Sequence, residues 1–190
     1  MKPVYVEKDK NLEYFICSFP ENNEKETVCI DGSFNDVISK NAFSNSNIRF
    51  VHIKNKLCCI FQSTFENCEC LEAVFFGELD DSSENKEPTP PGIKGIKQES
   101  ASDNFTVQTN AFKNCCSLNT VIFPNCNTLT IEKNAFSDCE ALRTVVAFAD
   151  NIDFTENPFA DCPEYLTFVC KKGSAVEKFA RENGYRIENV

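Results

Sequence analysis

Apolar residues along this chain fall into two alternating patterns that return together. One reads Leu-x-x-Val-x-apolar, as in Leu71, Val74 and Phe76 or Leu118, Val121 and Phe123, the spacing of a strand with one face in a core. The other is an apolar pair seven and five residues ahead of a phenylalanine: Phe105 and Val107, Leu129 and Ile131, Ile152 and Phe154. Between the two lies a turn-like segment: STFENCECL from Ser63, NAFKNCCSL from Asn110, NAFSDCEAL from Asn134, NPFADCPEY from Asn157, and a shortened NAFSNSNI from Asn41. The anchor phenylalanines Phe43, Phe65, Phe112, Phe136 and Phe159 are separated by 22, 47, 24 and 23 residues, one period of about 23 with an insertion in the second gap. Neither stretch of a unit can bury its apolar side alone, so the pattern predicts about five stacked copies forming a solenoid with a continuous core.

In that frame Cys68, Cys115, Cys139 and Cys162 all fall three residues after an anchor, with Ser46 at the matching place in the shortened unit. They predict an inward ladder, because a buried free cysteine behaves as a small hydrophobe. The preceding Asn67, Asn114, Asp138 and Asp161 are expected to satisfy backbone groups of the turns. Near the C-terminus Ser174 reads as a helix N-cap with Glu177 completing a capping box. Val176, Phe179 and Ala180 share one helical face, and Gly184 is placed to stop the helix.

These motifs resemble the BspA-like leucine-rich repeats of bacterial and protist surface proteins, whose consensus runs close to Leu-x-x-Ile-x-x-x-Ala-Phe-x-x-Cys-x-x-Leu-x-x-Ile-x-Ile-Pro. The match is clearest in LTIEKNAFSDCEALRTVV at Leu129–Val146, and IFPN at Ile122–Asn125 supplies the strand-ending proline. Residues Leu12–Ile30 look like the opening unit of such proteins, with a turn around Glu21–Lys25, and the last twenty residues look like their terminal unit. The resemblance implies a β-rich right-handed leucine-rich-repeat solenoid with a C-terminal helical cap. Its parts would be an N-terminal hairpin-like capping unit (1–36), repeats (37–170, with an insertion loop at 77–104) and a C-terminal helix-strand cap (171–190). It also implies an adhesion-type binding module at the cell surface or secreted, with a protein or glycan ligand. The departures are the insertion, Pro158 and Tyr165 in the last unit, and the lack of a secretory signal in the opening MKPVYVEKDKNLEY, which leaves the cytoplasm open as a location.

With the first, fourth and sixth positions of Leu-x-x-Val-x-apolar facing the core, the third and fifth point to the open face of the strands. The third positions are Phe50, Ala73, Thr120, Thr144 and Thr167, and the fifth are His52, Phe75, Ile122, Val146 and Val169. Exposed, the two columns would make a contiguous apolar patch of the kind that marks an interaction site, with Phe75 the first residue to test. Covered by the insertion, the N-terminal unit or a second copy, the same residues would be scaffold, and an oligomerisation module on this face is the alternative function. The insertion is rich in Ser, Glu, Lys and Pro with no aromatic residue or cysteine. It reads as a solvated loop or as a flap whose EPTPPG presents polyproline to a partner.

Composition narrows the chemistry. A net charge of -10 without a basic stripe argues against nucleic acid, and no stretch approaches the ~18–20 apolar residues of a membrane span. His52 is the single histidine, so no triad has a second imidazole to use, and no GxxxxGK[ST], GxGxxG or HExxH string occurs. The expectation is a protein without enzyme activity or cofactor. Twelve cysteines keep one thiol alternative open. Cys58, Cys59, Cys68 and Cys70 lie within 13 residues, but their pairs are adjacent or one residue apart, and zinc sites favour gaps of about two to four. Cys59, Cys70 and Cys116 lie off the ladder and are available for disulfides in an oxidising compartment. Glu78, Asp80, Asp81 and Glu84 lack the spacing of a calcium loop and read as a solvated charge run.

Overall fold

A computed structural model of the chain describes residues 5–7, 15–18, 27–30, 37–38, 40–53, 58–76, 78–79, 96–97, 104–154 and 156–190. Its architecture is a parallel β-solenoid. The main sheet has seven parallel strands whose order in space is their order in sequence: Thr27–Ile30, Phe50–Ile53, Ala73–Phe76, Thr120–Ile122, Thr144–Val146, Thr167–Cys170 and Arg186–Asn189. A second parallel sheet carries Cys59–Ile60, Asn104–Val107, Thr128–Ile131 and Asn151–Phe154. These are the two alternating patterns of the sequence, one strand of each per coil. Residue Thr120 aligns with Ala73 on one side and Thr144 on the other, so equivalent positions form columns along the stack.

The turn between the sheets is where the coils hold each other most closely. The anchor rings stack face to face, with centroids 5.1, 5.1, 5.0 and 5.1 Å apart from Phe43 through Phe65, Phe112 and Phe136 to Phe159. All five are essentially buried. Backbone bonds continue through the turn from coil to coil: the Phe43 N–H donates to Thr64 O (2.9 Å), Phe65 to Ala111 (2.8 Å) and Phe112 to Ala135 (2.8 Å). To aim its amides that way the turn takes positive φ on either side of the anchor, at Asn41 and Asn45, Ser63 and Asn67, Asn110 and Asn114, Asn134 and Asp138. Left-handed backbone is costly for most side chains and least so for Asn and Asp, which is why these residue types recur there.

The cysteines do form the inward ladder, and each thiol donates to the carbonyl of the preceding coil's anchor: Cys68 to Phe43 (3.0 Å), Cys115 to Phe65 (3.1 Å), Cys139 to Phe112 (3.2 Å) and Cys162 to Phe136 (3.2 Å). Ser46 continues it, its hydroxyl 3.3 Å from the Cys68 thiol. Desolvation pushes the ladder thiols above the ordinary cysteine value, Cys162 to about 12. The asparagines work differently from expectation. Their side chains bond one another along the stack, Asn114 Nδ2 to Asn67 Oδ1 (2.8 Å) and Asn67 Nδ2 to Asn45 Oδ1 (3.1 Å), and what these positions give the backbone is their left-handed φ.

The last coil shows why its motif departs. Phe159 has no following turn to receive its amide, and Asn157 Oδ1 accepts it instead (3.0 Å) while exchanging hydrogen bonds with the Tyr185 hydroxyl. Pro158 has no N–H to place. One first-position assignment is corrected: Tyr165 turns outward at 38% exposure and Leu166 takes the core position at 0%. The turn has shifted by one residue, with Leu166 N–H bonded to Pro163 O where Leu142 bonds to Cys139 O. The helix Ala175–Glu182 then closes the end. Ser174 accepts from the Glu177 N–H, Glu177 accepts from Gly173 N–H and the Arg181 guanidinium, and Gly184 at φ 75° lets Tyr185 N–H reach back to Ala180 O. Phe179 meets Phe154 edge-on at 4.6 Å, so the helix covers the last strand of the second sheet.

At the other end, Tyr5–Glu7 runs antiparallel to Phe15–Ser18, which pairs in parallel with Val37–Ile38. The turn expected around Glu21–Lys25 lies outside the described residues. Within the insertion, Glu78–Leu79 pairs antiparallel with Ile96–Lys97.

Truncating the middle of the ring stack, Phe112→Ala, should lower unfolding free energy by about 3–5 kcal/mol by the cavity it leaves, measured by denaturant titration; a loss under about 1 kcal/mol would show that the rings do not carry the stack. The helix cap gives a pH signature. The Gly173 N–H bond, and then Arg181, hold the Glu177 carboxyl below its ordinary value. A carboxyl lowered in the folded state stabilises above its unfolded value of about 4.3 and loses that contribution as pH falls through the folded value. The thermal midpoint of Glu177→Gln should therefore lie below wild type at neutral pH and converge with it in acid, whereas a gap constant across pH would contradict the cap's role.

Candidate ligand-binding groove

The outward face of the main sheet divides into two columns with different fates. Of the fifth positions, Ile122 (1%), Val146 (1%) and Val169 (0%) are buried in a second apolar cluster, with Phe75 and Phe148 packed against them. The expected open column is therefore corrected. In-register strands about 4.8 Å apart set these side chains flank to flank, and the rings of Phe75 and Phe148 pack against them. Phe75 is half-buried as part of this cluster, so changing it to Asp would damage packing before it tested binding. His52, the remaining fifth position, is half-buried.

The third positions stay nearer the surface. Phe50, Thr144 and Thr167 are half-buried, whereas Ala73 and Thr120 are closed to 3% and 9% exposure, a correction to the open column expected there too. Ala73 is too small to project past its neighbours, and Thr120 folds its hydroxyl onto Asn119 Oδ1 (3.0 Å). Small residues at these two places, beside the ring of Phe50, leave a cleft of about 530 Å³ lined by Phe50, Glu72, Ala73, Cys116, Ser117, Asn119, Thr120 and Ala141.

This cleft sits where the turns run into the strands. Glu72 and Asn119 hold the second position of consecutive coils, and their carbonyls continue the sheet's hydrogen bonding ahead of the strands: Glu72 N–H to Arg49 O (2.7 Å), Asn119 to Glu72 (2.8 Å), Arg143 to Asn119 (2.9 Å). At the N-terminal end Arg49 grips Glu72, its Nε 2.7 Å from the carboxylate, and lies over the Phe50 ring at 5.2 Å. Beyond Asn119, Arg143 lies over the Tyr165 ring at 5.3 Å. Cys116 and Ser117 are exposed. The Cys116 thiol is raised above its ordinary value by partial burial and then by the carboxylates of Glu140, Glu69 and Asp138. Glu72, Asn119, Ser117 and Ala141 carry no sequence expectation, and Cys116 enters there only as an off-ladder thiol. Their signal was faint, since second positions and post-cysteine turn residues vary in type from unit to unit.

Six copies of a family model described as BspA type Leucine rich repeat region match residues 17–85 and 94–182. The chain belongs to this family. No curated protein and no solved structure matches it. The matched ranges take in all five anchor turns, from Phe43 to Phe159.

Among the described residues, no helix is long and apolar enough to cross a membrane, and no group of three or more His, Cys, Asp or Glu is arranged to hold a metal ion. The four thiols weighed for zinc are split by the coil: Cys68 belongs to the buried ladder, while Cys58 and Cys70 are exposed and Cys59 is half-buried with its thiol pushed up to about 12 by desolvation. Of the acidic residues weighed for calcium, Asp80, Asp81 and Glu84 lie outside the described residues.

Thiol reactivity should follow this geometry, since thiolate is the nucleophile. Iodoacetamide at pH about 8 is expected to modify Cys58, Cys70 and Cys116 in the native protein and Cys68, Cys115 and Cys139 only after denaturation, read by peptide mass spectrometry. Native labelling of Cys115 at the rate of Cys70 would contradict the ladder.

Proposed function

We propose that this chain is a non-enzymatic binding module of adhesion type that recognises a protein or glycan through the groove at the head of the main sheet. The observation that carries the reading is the contrast between the two columns. The fifth-position side is closed over by its own apolar cluster, and the third-position side is left as a cleft with mixed polar and apolar walls. Concave sites of this size with a few convergent polar groups are the usual form of a recognition site. Solenoids present such surfaces because equivalent residues repeat from coil to coil. The family's frequent association with cell surfaces supports the same placement for this chain.

The test is binding of labelled protein to a panel of immobilised extracellular matrix proteins and glycans. Ser117 is exposed and Ala141 half-buried, so Ser117→Gln with Ala141→Gln fills the cleft without disturbing the core or the charge. Retention should fall about tenfold or more, a loss of roughly 1.4 kcal/mol, with the melting curve unchanged. Full retention of every ligand by the filled variant would remove the groove from the function.

A further inference from the structure

The rim of the groove is acidic in a way that the repeat explains. Glu69, Cys116 and Glu140 occupy the same place in successive turns, one residue after the ladder cysteines Cys68, Cys115 and Cys139. Glu69 and Glu140 are exposed, and both act electrostatically on the Cys116 thiol between them, as does Asp138. Among the described residues none of these three carboxylates has an ion pair. Of the arginines on these coils, Arg49 is paired with Glu72, and Arg143 is exposed and lies over the Tyr165 ring. The half-open groove thus has, on either side of its lining residue Cys116, exposed carboxylates that form no ion pair among the described residues.

We propose that the groove takes a basic, extended segment of a partner protein, with lysine or arginine side chains set against Glu69 and Glu140. This rests on the groove being the binding site and adds the chemistry of its ligand. Two coils separate the glutamates, so their backbones stand about 10 Å apart at the strand spacing. Three residues of chain in the extended polyproline II form cover about 9 Å at roughly 3.1 Å each and return to the same side, so cations at positions i and i+3 of the ligand match the rim. Apolar stems of lysine or arginine suit the ring of Phe50 and the small floor at Ala73, with the charge carried to the edge. The acidic balance of the whole chain, -10, favours approach of a cationic segment.

The probe is a fluorescein-labelled nine-residue glycine peptide carrying lysine at every third position, with matched glutamine and glutamate versions, followed by anisotropy with the full chain. Glu69→Lys with Glu140→Lys should weaken the lysine peptide by about tenfold or more. The same change of net charge at the far end of the solenoid, Glu182→Lys with Glu188→Lys, should weaken it by less than about twofold, since exposed charges beyond about 10 Å are screened at 0.1 M salt. Equal losses from the two pairs, or equally tight binding of the glutamine peptide or a neutral oligosaccharide, would overturn the proposal. The neutral filling variant, Ser117→Gln with Ala141→Gln, separates the two readings. If it abolishes capture of matrix ligands while the charge-reversed rim leaves that capture intact, the groove stands as a binding site and the basic ligand does not.

Discussion

Everything in this protein depends on each coil being laid down directly on the one before it, in register. The contact that enforces the register is the turn around the anchor phenylalanine. A ring about 5 Å from its neighbours on both sides leaves no room for a coil to slip, and the anchor amide bonds to the next coil within the same turn. A sheet of parallel strands alone would tolerate a slip of two residues, since side chains would return to the same face. A stacked ring flanked by two left-handed residues does not.

The other repeating features follow from that turn. A backbone bent to send its amide along the stack leaves the anchor carbonyl inside, accepting one bond from its own turn, as Phe65 O does from the Cys68 N–H (3.2 Å), with its second lone pair still to fill. The ladder cysteine of the next coil meets it with a donor small enough for the space. The left-handed positions select Asn and Asp, and once these stand in a column their amides bond each other. At the last coil the next copy is missing, and these needs are met another way: Asn157 takes the orphan amide, and the helix with Phe179 and Tyr185 covers the aromatic end. The ends of a solenoid are where its rule is broken in sequence, because a cap must answer the same hydrogen bonds without a neighbour.

The surface shows the opposite logic. Repetition makes columns, and a column can be closed or left open depending on the size of its members and what lies beside them. Large apolar residues at the fifth positions close together with Phe75 and Phe148, whereas Ala73 and Thr120 at the third positions open a cleft. The surface departs from strict repetition where the repeat is small and irregular, at exposed turn residues such as Glu69, Cys116 and Glu140 that the core does not constrain.

The period, the anchors, the cysteine ladder, both strand patterns and the helix cap were legible in the chain itself, because each follows from local alternation or from turn chemistry that repeats at a constant offset. Tyr165 was visible there as a departure, but the one-residue shift that turns it outward and seats Leu166 in the core was not, since it depends on how the last turn is bonded. Alternation alone also assigned Ile122, Val146 and Val169 to an open face. It tells which side of a strand a residue occupies and nothing of what packs against that side. The cleft arises because Glu72 of one coil is brought beside Cys116 and Asn119 of the next, 44 and 47 residues further along the chain. That assembly, and the closing of one column beside the opening of another, belongs to the tertiary structure.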